Sequence, residues 1–373
     1  MLEAASTLNI KLVNYNLSPI SQEYVEKGYS AKQIVENYFN KGREVLCRGD
    51  ILYLDLEILE GKEAASQLIE EIYNKKVLPT AFEDDILQMC SIAELEEHTW
   101  TFPADTKETK ERIQIGKHPI GEFDELIDKH FIGNQFLILD GFTQKQLNMI
   151  DRKGVIPTGQ KTIYLTFDDW GDERSIGRIL AVLKKHNVKG SFFVKTNFVN
   201  EARMNMLRAI AEDGHDVASH TKTHMLVNIS EDLVETLQND LVESNKTLSS
   251  VIGDTGRLTN YFRPPTLAIN AIGMKTIFDC GYSYIICGDN STGDYDVANK
   301  EELVDKLKKG VKTESGARIP IQDGTIFIMH MSETSLYTAD ALDEYLTYQE
   351  QLPLGSKDKV NFARLSDYLE KDK

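Results

Sequence analysis

Four short clusters in this sequence carry side chains able to do acid–base or metal chemistry. Asp168 and Asp169 stand side by side at the end of an apolar, β-rich run, Thr162-Ile163-Tyr164-Leu165-Thr166-Phe167. Adjacent carboxylates raise each other's pKa, so the pair is either an ordinary turn or a working dyad. His220-Thr221-Lys222-Thr223-His224 spaces two imidazoles four residues apart, which on a helical turn brings both to one face and within reach of one ion. Joined by a carboxylate, two histidines form an open metal set that keeps a position for water or substrate. Without one, an HxxxH is a pair of surface histidines. Arg263-Pro264-Pro265 sets an arginine on a stiffened loop short of backbone donors, able to fix a carboxylate or simply to turn the chain. His330 closes the run Thr325-Ile326-Phe327-Ile328-Met329-His330, as a general acid or as a core histidine. Each cluster is ambiguous singly; their order along the chain is not.

The elements that must position these groups alternate between strand and helix. After the first run, Ile176, Ile179, Leu180 and Leu183 share one face of a helix predicted over 176–186. Ser191-Phe192-Phe193-Val194 and Val217-Ala218-Ser219 read as strands, with a helix over 204–211 between them. Ser230, followed by Glu231 and Asp232, opens an acid-rich helix that runs to Ser249. Upstream, 121–131 reads as an amphipathic helix, 136–139 as a strand and 143–150 as a helix; 101–116, charged and holding Pro103, reads as a loop. Repeated strand–helix–strand units imply a parallel α/β sheet or barrel, in which chemistry gathers at the C-terminal strand ends.

Composition narrows the classes. With 42 Lys and Arg against 59 Asp and Glu the formal charge is −17, which argues against nucleic-acid binding, since phosphate neutralisation needs clustered cations. No run approaches the roughly 18 consecutive apolar residues of a membrane span. Cys47, Cys90, Cys280 and Cys287 form no CxxC, so buried free thiols are the plainer reading, with a Cys280–Cys287 bridge the alternative. Met1-Leu2-Glu3-Ala4 begins neither a basic nor an apolar leader.

On these residues, 155–373 resembles the NodB-homology polysaccharide deacetylases, carbohydrate esterase family 4. Thr166-Phe167-Asp168-Asp169 is similar to the family's TFDD motif, His220 to His224 to its H-[S/T]-x-x-H motif, Arg263-Pro264-Pro265 to RPP with Asn270 in the longer form, and Ile328-Met329-His330 to L-x-H. Gly190-Ser191-Phe192-Phe193-Val194 and Gly214-His215-Asp216 add to the likeness. The resemblance implies a distorted (β/α) barrel in the α/β class, preceded by a smaller α/β region. It implies a metal-dependent hydrolase that removes N-acetyl groups from an acetylated polysaccharide or oligosaccharide, of peptidoglycan, chitin-like or exopolysaccharide type, releasing acetate.

The same likeness implies site roles. Asp169, His220 and His224 would hold a divalent ion, Zn2+ with Co2+ or Ni2+ as alternatives. Asp168 would be the general base and Arg263 its partner, His330 the general acid with Asp289 as its partner, and the backbone N–H of Thr266 an oxyanion donor. Three departures bear on substrate: Trp170-Gly171 stands where Gly-Pro is usual, Thr266-Leu267 follows RPP, and the family's Asp-x-x-Asp-Trp is echoed loosely from Asp289 to Asp294-Tyr295. Trp170 is either a substrate-stacking or a packed loop residue. Alternative readings are a hydrolase of O-acetyl esters or small amides, and a non-catalytic carbohydrate-binding protein on this scaffold.

Comparison of the chain with itself suggests a half-repeat. Residues 5–16, 30–35, 48–55 and 91–95 have the texture of 281–286, 299–304, 322–330 and 363–369, with Asp55 standing where His330 stands. The expected organisation is therefore 1–97 as a non-catalytic degenerate half-domain, 98–150 as a connecting segment and 151–373 as the catalytic domain. The chain then reads as a fragment of a longer, extracellular or cell-envelope protein whose leader is absent, with a cytoplasmic place left open; oligomeric state is likewise open.

Overall fold

The β-rich runs become parallel strands. The computed structural model describes residues 18, 20–41, 53–55, 62–74, 121–134, 137–198, 201–313 and 315–369. Its strands are β1 (Phe131–Ile132), β2 (Thr162–Asp169), β3 (Ser191–Val194), β4 (Asp216–Ser219), β5 (Leu258–Phe262), β6 (Tyr284–Ile286), β7 (Asn290–Ser291), β8 (Thr325–His330) and β9 (Asn361–Ala363). They form one sheet in the order β1-β6-β5-β4-β3-β2-β8-β7, with β9 also against β2, and every pairing is parallel. The helices are α1 (Gln22–Glu26), α2 (Ala31–Lys41), α3 (Lys62–Asn74), α4 (Phe123–His130), α5 (Gln144–Met149), α6 (Glu173–Lys185), α7 (Glu201–Glu212), α8 (Val234–Ile252), α9 (Ala271–Asp279), α10 (Lys300–Lys309), α11 (Thr338–Gln351) and α12 (Ser366–Leu369).

Local chemistry starts several helices where the sequence does. Thr143 and Gln146 close a capping box on α5, Asp172 accepts from Ser175 N at the head of α6, and Asn270 and Asn299 do the same for α9 and α10. Each cap satisfies an otherwise orphaned N–H, worth about 1 kcal/mol. Alternation along β2 sends Tyr164, Thr166 and Asp168 to one face and Ile163, Leu165 and Phe167 to the other. The first face joins Phe193, Ala218, Tyr261, Phe262, Ile285, Ile326 and Ile328 in the inner core. Both faces of β2 are buried up to Asp168, as an all-parallel sheet requires. The sheet is curled: Arg263, just past β5, reaches Asp168 on β2, two strands beyond its neighbour in the order, with a 2.7 Å hydrogen bond. On a flat sheet, strands about 4.8 Å apart would hold those side chains upright and separate.

The chain divides into two compact units, Met1–Thr106 with Asn200–Ala209, and Lys107–Val199 with Ile210–Lys373. In the first, α2 and α3 pack together and bury Ile34, Val35, Leu68 and Ile72; its described elements before residue 106 are helices, without a strand. Of the half-repeat, the helix expected from Ser30 is present as α2, opened by reciprocal hydrogen bonds between Ser30 and Gln33. Tyr53, Leu54 and Asp55 carry no regular structure, unlike β8, and residues 5–16, 48–52 and 91–95 lie outside the described residues, as does the 101–116 loop. The strand expected over 136–139 is displaced: residues 137–139 are irregular and the edge strand is β1, since Phe131 and Ile132 are the residues in register with Ile285 and Ile286.

Candidate active site

Because all strands run the same way, Asp168 and Asp169 at the end of β2, His220 after β4, Arg263 after β5 and His330 at the end of β8 come to one rim. Asp168 faces inward and is buried. Its Oδ1 accepts from Arg263 Nη1 at 2.7 Å. Arg263 is fully buried and is held at three further points. Nη1 also donates to Thr166 Oγ1 (2.7 Å), Nε donates to Ile286 O (3.0 Å), and the guanidinium lies 4.0 Å from the centre of the Phe193 ring. A buried charge of this kind persists only when paired and hydrogen-bonded. The expected Arg263–Asp168 pair is thus in place.

Asp169, His220 and His224 offer three ligand atoms that all lie within 4.8 Å of one another. Asp169 Oδ1 is 3.9 Å from His220 Nε2 and 3.5 Å from His224 Nε2, and it is buried without a hydrogen-bond partner. These gaps are too wide for hydrogen bonds. They match neighbouring donors around a tetrahedral ion with bonds of about 2.0–2.2 Å, which stand roughly 3.4 Å apart. His220 Nδ1 is 2.8 Å from Arg263 O, to which it donates as N–H, so Nε2 keeps its lone pair for a cation. Burial pushes the His220 pKa down to about 3, against the pull of Asp169, and burial also lowers that of His224. Both rings are therefore neutral, as ligands must be. The donor set fits a divalent ion.

The segment from His220 to His224 is not the helical turn expected from its spacing. Thr221 and His224 take positive φ of 65° and 62°, and Asp169 takes 75°, a region that is strained for residues with a Cβ. A residue the sequence reading missed holds this shape. Asp240 on α8 accepts from Lys222 N (2.6 Å), Thr223 N (3.1 Å) and Thr223 Oγ1 (2.6 Å). A helix would have used those N–H groups within its own turns; a carboxylate from the following helix takes them instead.

His330 Nδ1 lies 2.7 Å from Asp294 Oδ1. Burial lowers the His330 pKa, but Asp294 and the nearby Asp168 and Asp169 outweigh it, so the net direction is up. Asp294 is buried and also accepts from His330 N (2.8 Å) and Thr338 Oγ1 (2.5 Å). Asp289, expected as the partner of His330, is not. Its carboxylate accepts from Ile326 N (2.8 Å), Thr325 Oγ1 (3.2 Å) and Asn290 Nδ2 (3.0 Å). The β7–β8 register places Asn290 beside Phe327, which puts Asp289 beside Ile326, four residues and about 13 Å below His330. The one sequence signal for Asp294 was the loose Asp294-Tyr295 echo; the Tyr295 ring stands edge-on to His330, 4.9 Å between centres.

The remaining candidates fall as follows. Thr266 is exposed with φ 60° in the turn after Pro264-Pro265. Asn270 caps α9 and ties it to Ile229 O. Trp170 is buried, a packed loop residue rather than an exposed stacking face. His215 is a core histidine accepting from Gly190 N, and burial pushes its pKa down to about 3. Cys280 and Cys287 are free thiols. A cavity of about 570 Å³ lined by Lys189, Gly214, Arg257, Phe362 and Arg364 opens at the N-terminal strand ends, the end opposite the reactive groups, so it is no part of this site.

Fold and rim together define a parallel α/β sheet curled into a half-barrel, with three candidate metal ligands flanked by a carboxylate and an imidazole. Residues 156–285 match the family model described as polysaccharide deacetylase. Over 208 residues it is 28% identical to the peptidoglycan-N-acetylmuramic acid deacetylase PdaA of Bacillus subtilis strain 168, a match covering 54% of this chain and 73% of that protein. Over 170 residues it is 26% identical to a peptidoglycan-N-acetylglucosamine deacetylase of Bacillus cereus strain ATCC 14579, covering 45% and 76%. The solved structure of Bacillus subtilis PdaA, a family 4 carbohydrate esterase, aligns with a TM-score of 0.47 at 23% identity, over 69% of this chain and 94% of that one. No helix among the described residues is long and apolar enough to cross a membrane.

Proposed function

We propose that this chain is a metal-dependent deacetylase that hydrolyses N-acetyl groups of an acetylated polysaccharide, with peptidoglycan the favoured polymer and the cell envelope or exterior the place of action. The carrying observation is the convergence of Asp169, His220 and His224 between an arginine-held Asp168 and an aspartate-held His330. A bound divalent ion, Zn2+ in this reading, would supply a Lewis acid for the acetamide carbonyl and acidify water. Asp168 takes the proton of the attacking water, and the hydrogen bond from Arg263 aims the carboxylate. His330 donates from Nε2 to the departing amine, since Nδ1 is engaged by Asp294. The N–H of Thr266 serves the developing oxyanion. Acetate and a free amine leave. Residues 1–97 contribute none of these groups.

The reading is tested by acetate release from N-acetylated peptidoglycan and chitooligosaccharides, before and after chelation. Activity should vanish in excess chelator and return with Zn2+ or Co2+. Full activity with no bound metal detectable would sink the mechanism, and sugar binding without acetate release by metal-loaded protein would favour a non-catalytic binder.

A further inference from the structure

Asp169 Oδ1 has a third close neighbour, and this one is not a ligand. Lys195 follows β3 directly, and its N–H donates to Asp169 O at 3.0 Å, which fixes its Cα beside the end of β2. Its Nζ lies 3.7 Å from Asp169 Oδ1, and its side chain is only 16% exposed. The same oxygen faces both histidine Nε2 atoms. An ammonium has three donors and no lone pair, so it cannot bind an ion; it can only stand in for one. Asp168 already has its counter-charge in Arg263, whereas the Lys195 ammonium lies beside Asp169.

We propose that Lys195 is the resident counter-ion of the metal centre: it neutralises Asp169 in the ion-free chain and opposes the arriving divalent cation, so that it sets the affinity of the site. The proposal rests on the metal-centre reading above. An ion about 2 Å from Asp169 Oδ1 comes within a few ångströms of Nζ, where like charges interact strongly even in a well-screened protein. The lysine side chain must then swing toward solvent or remain as a repulsive neighbour, and either course weakens metal binding. In the ion-free chain its loss removes the ammonium from beside the buried Asp169 Oδ1.

The test is a Zn2+ titration of stripped protein against a chromophoric chelator at fixed pH and ionic strength, with melting temperatures recorded with and without the ion. Lys195→Met should bind Zn2+ tighter by at least about tenfold, or about 1.4 kcal/mol. It should also melt lower than the parent without the ion and gain more on adding it. Lys195→Arg, which keeps the charge, should stay near the parent. Lys195→Gln repeats the comparison if the Met variant does not fold. Affinity unchanged or weaker in the uncharged variants overturns the proposal. A parent chain that takes up no Zn2+, while His224→Ala behaves identically, overturns the metal reading itself.

Discussion

Two protonable groups on either side of the ligand cluster have separable tasks, and each leaves a different signature when altered. Asp168→Asn should retain the metal and lose on the order of 10²–10⁴-fold in rate, the usual worth of a general base, whereas His224→Ala should lose the metal; both are read by metal analysis beside acetate release. A proton donor must be protonated to act, so activity carried by His330 is present below its pKa and disappears as pH rises through it. Asp294 holds that pKa up. Asp294→Asn keeps an acceptor for His330 but removes the charge, so the alkaline limb of the rate profile should move to lower pH. A limb that stays in place would mean that His330 is not the acid. Sequence order does not reveal which of two nearby aspartates, Asp289 or Asp294, stands at the level of His330. The register of two short strands decides that, and register is a property of the folded pair.

Strands were the legible elements, whereas Ser230, expected to cap the acid-rich helix, makes no side-chain cap hydrogen bond and opens a short 3-10 turn ahead of it. Ser191–Val194 and Thr325–His330 have the bounds their residue types predict, because a fully buried parallel strand is a short unbroken apolar run. The ligand loop was not legible. Its spacing fits a helix, and the acceptors that overrule the helix belong to Asp240, on the following helix α8 and outside the loop's own spacing pattern. Asp240→Ala should therefore lower Zn2+ affinity about 10- to 100-fold, as loss of outer-shell support does, and leave the fold intact; unchanged affinity would show that the strained loop holds its own shape. The element pair β7–β8 makes a different prediction. Burial raises the Asp289 pKa to about 7, against about 3.9 in an unfolded chain. Between those values the unfolded chain is ionised while the folded one is not, so this group opposes folding increasingly from about pH 4 to about pH 7 and constantly above. The stability of Asp289→Asn relative to the parent should rise over that window and then level off.

At the scale of the whole barrel, Arg263 serves both architecture and chemistry. From the end of β5 it reaches Thr166 and Asp168 on β2 and Ile286 O on β6, so one guanidinium ties three strands across the curl of the sheet. It is fully buried, and removing one partner of such a pair abandons the other charge in the interior, at a cost of about 3–5 kcal/mol. Arg263→Met should lose stability of that order at neutral pH, and it should lose activity as Asp168 is released. If the cost comes from the orphaned carboxylate and not from lost packing on Phe193, adding Asp168→Asn should restore a large part of the stability and none of the activity. The two substitutions should then be strongly non-additive in a double-mutant cycle of denaturant unfolding. Additive losses would place the role of Arg263 in packing, and the barrel would owe its curl to the apolar core of Tyr164, Phe193 and Ile328 rather than to the buried pair that aims its base.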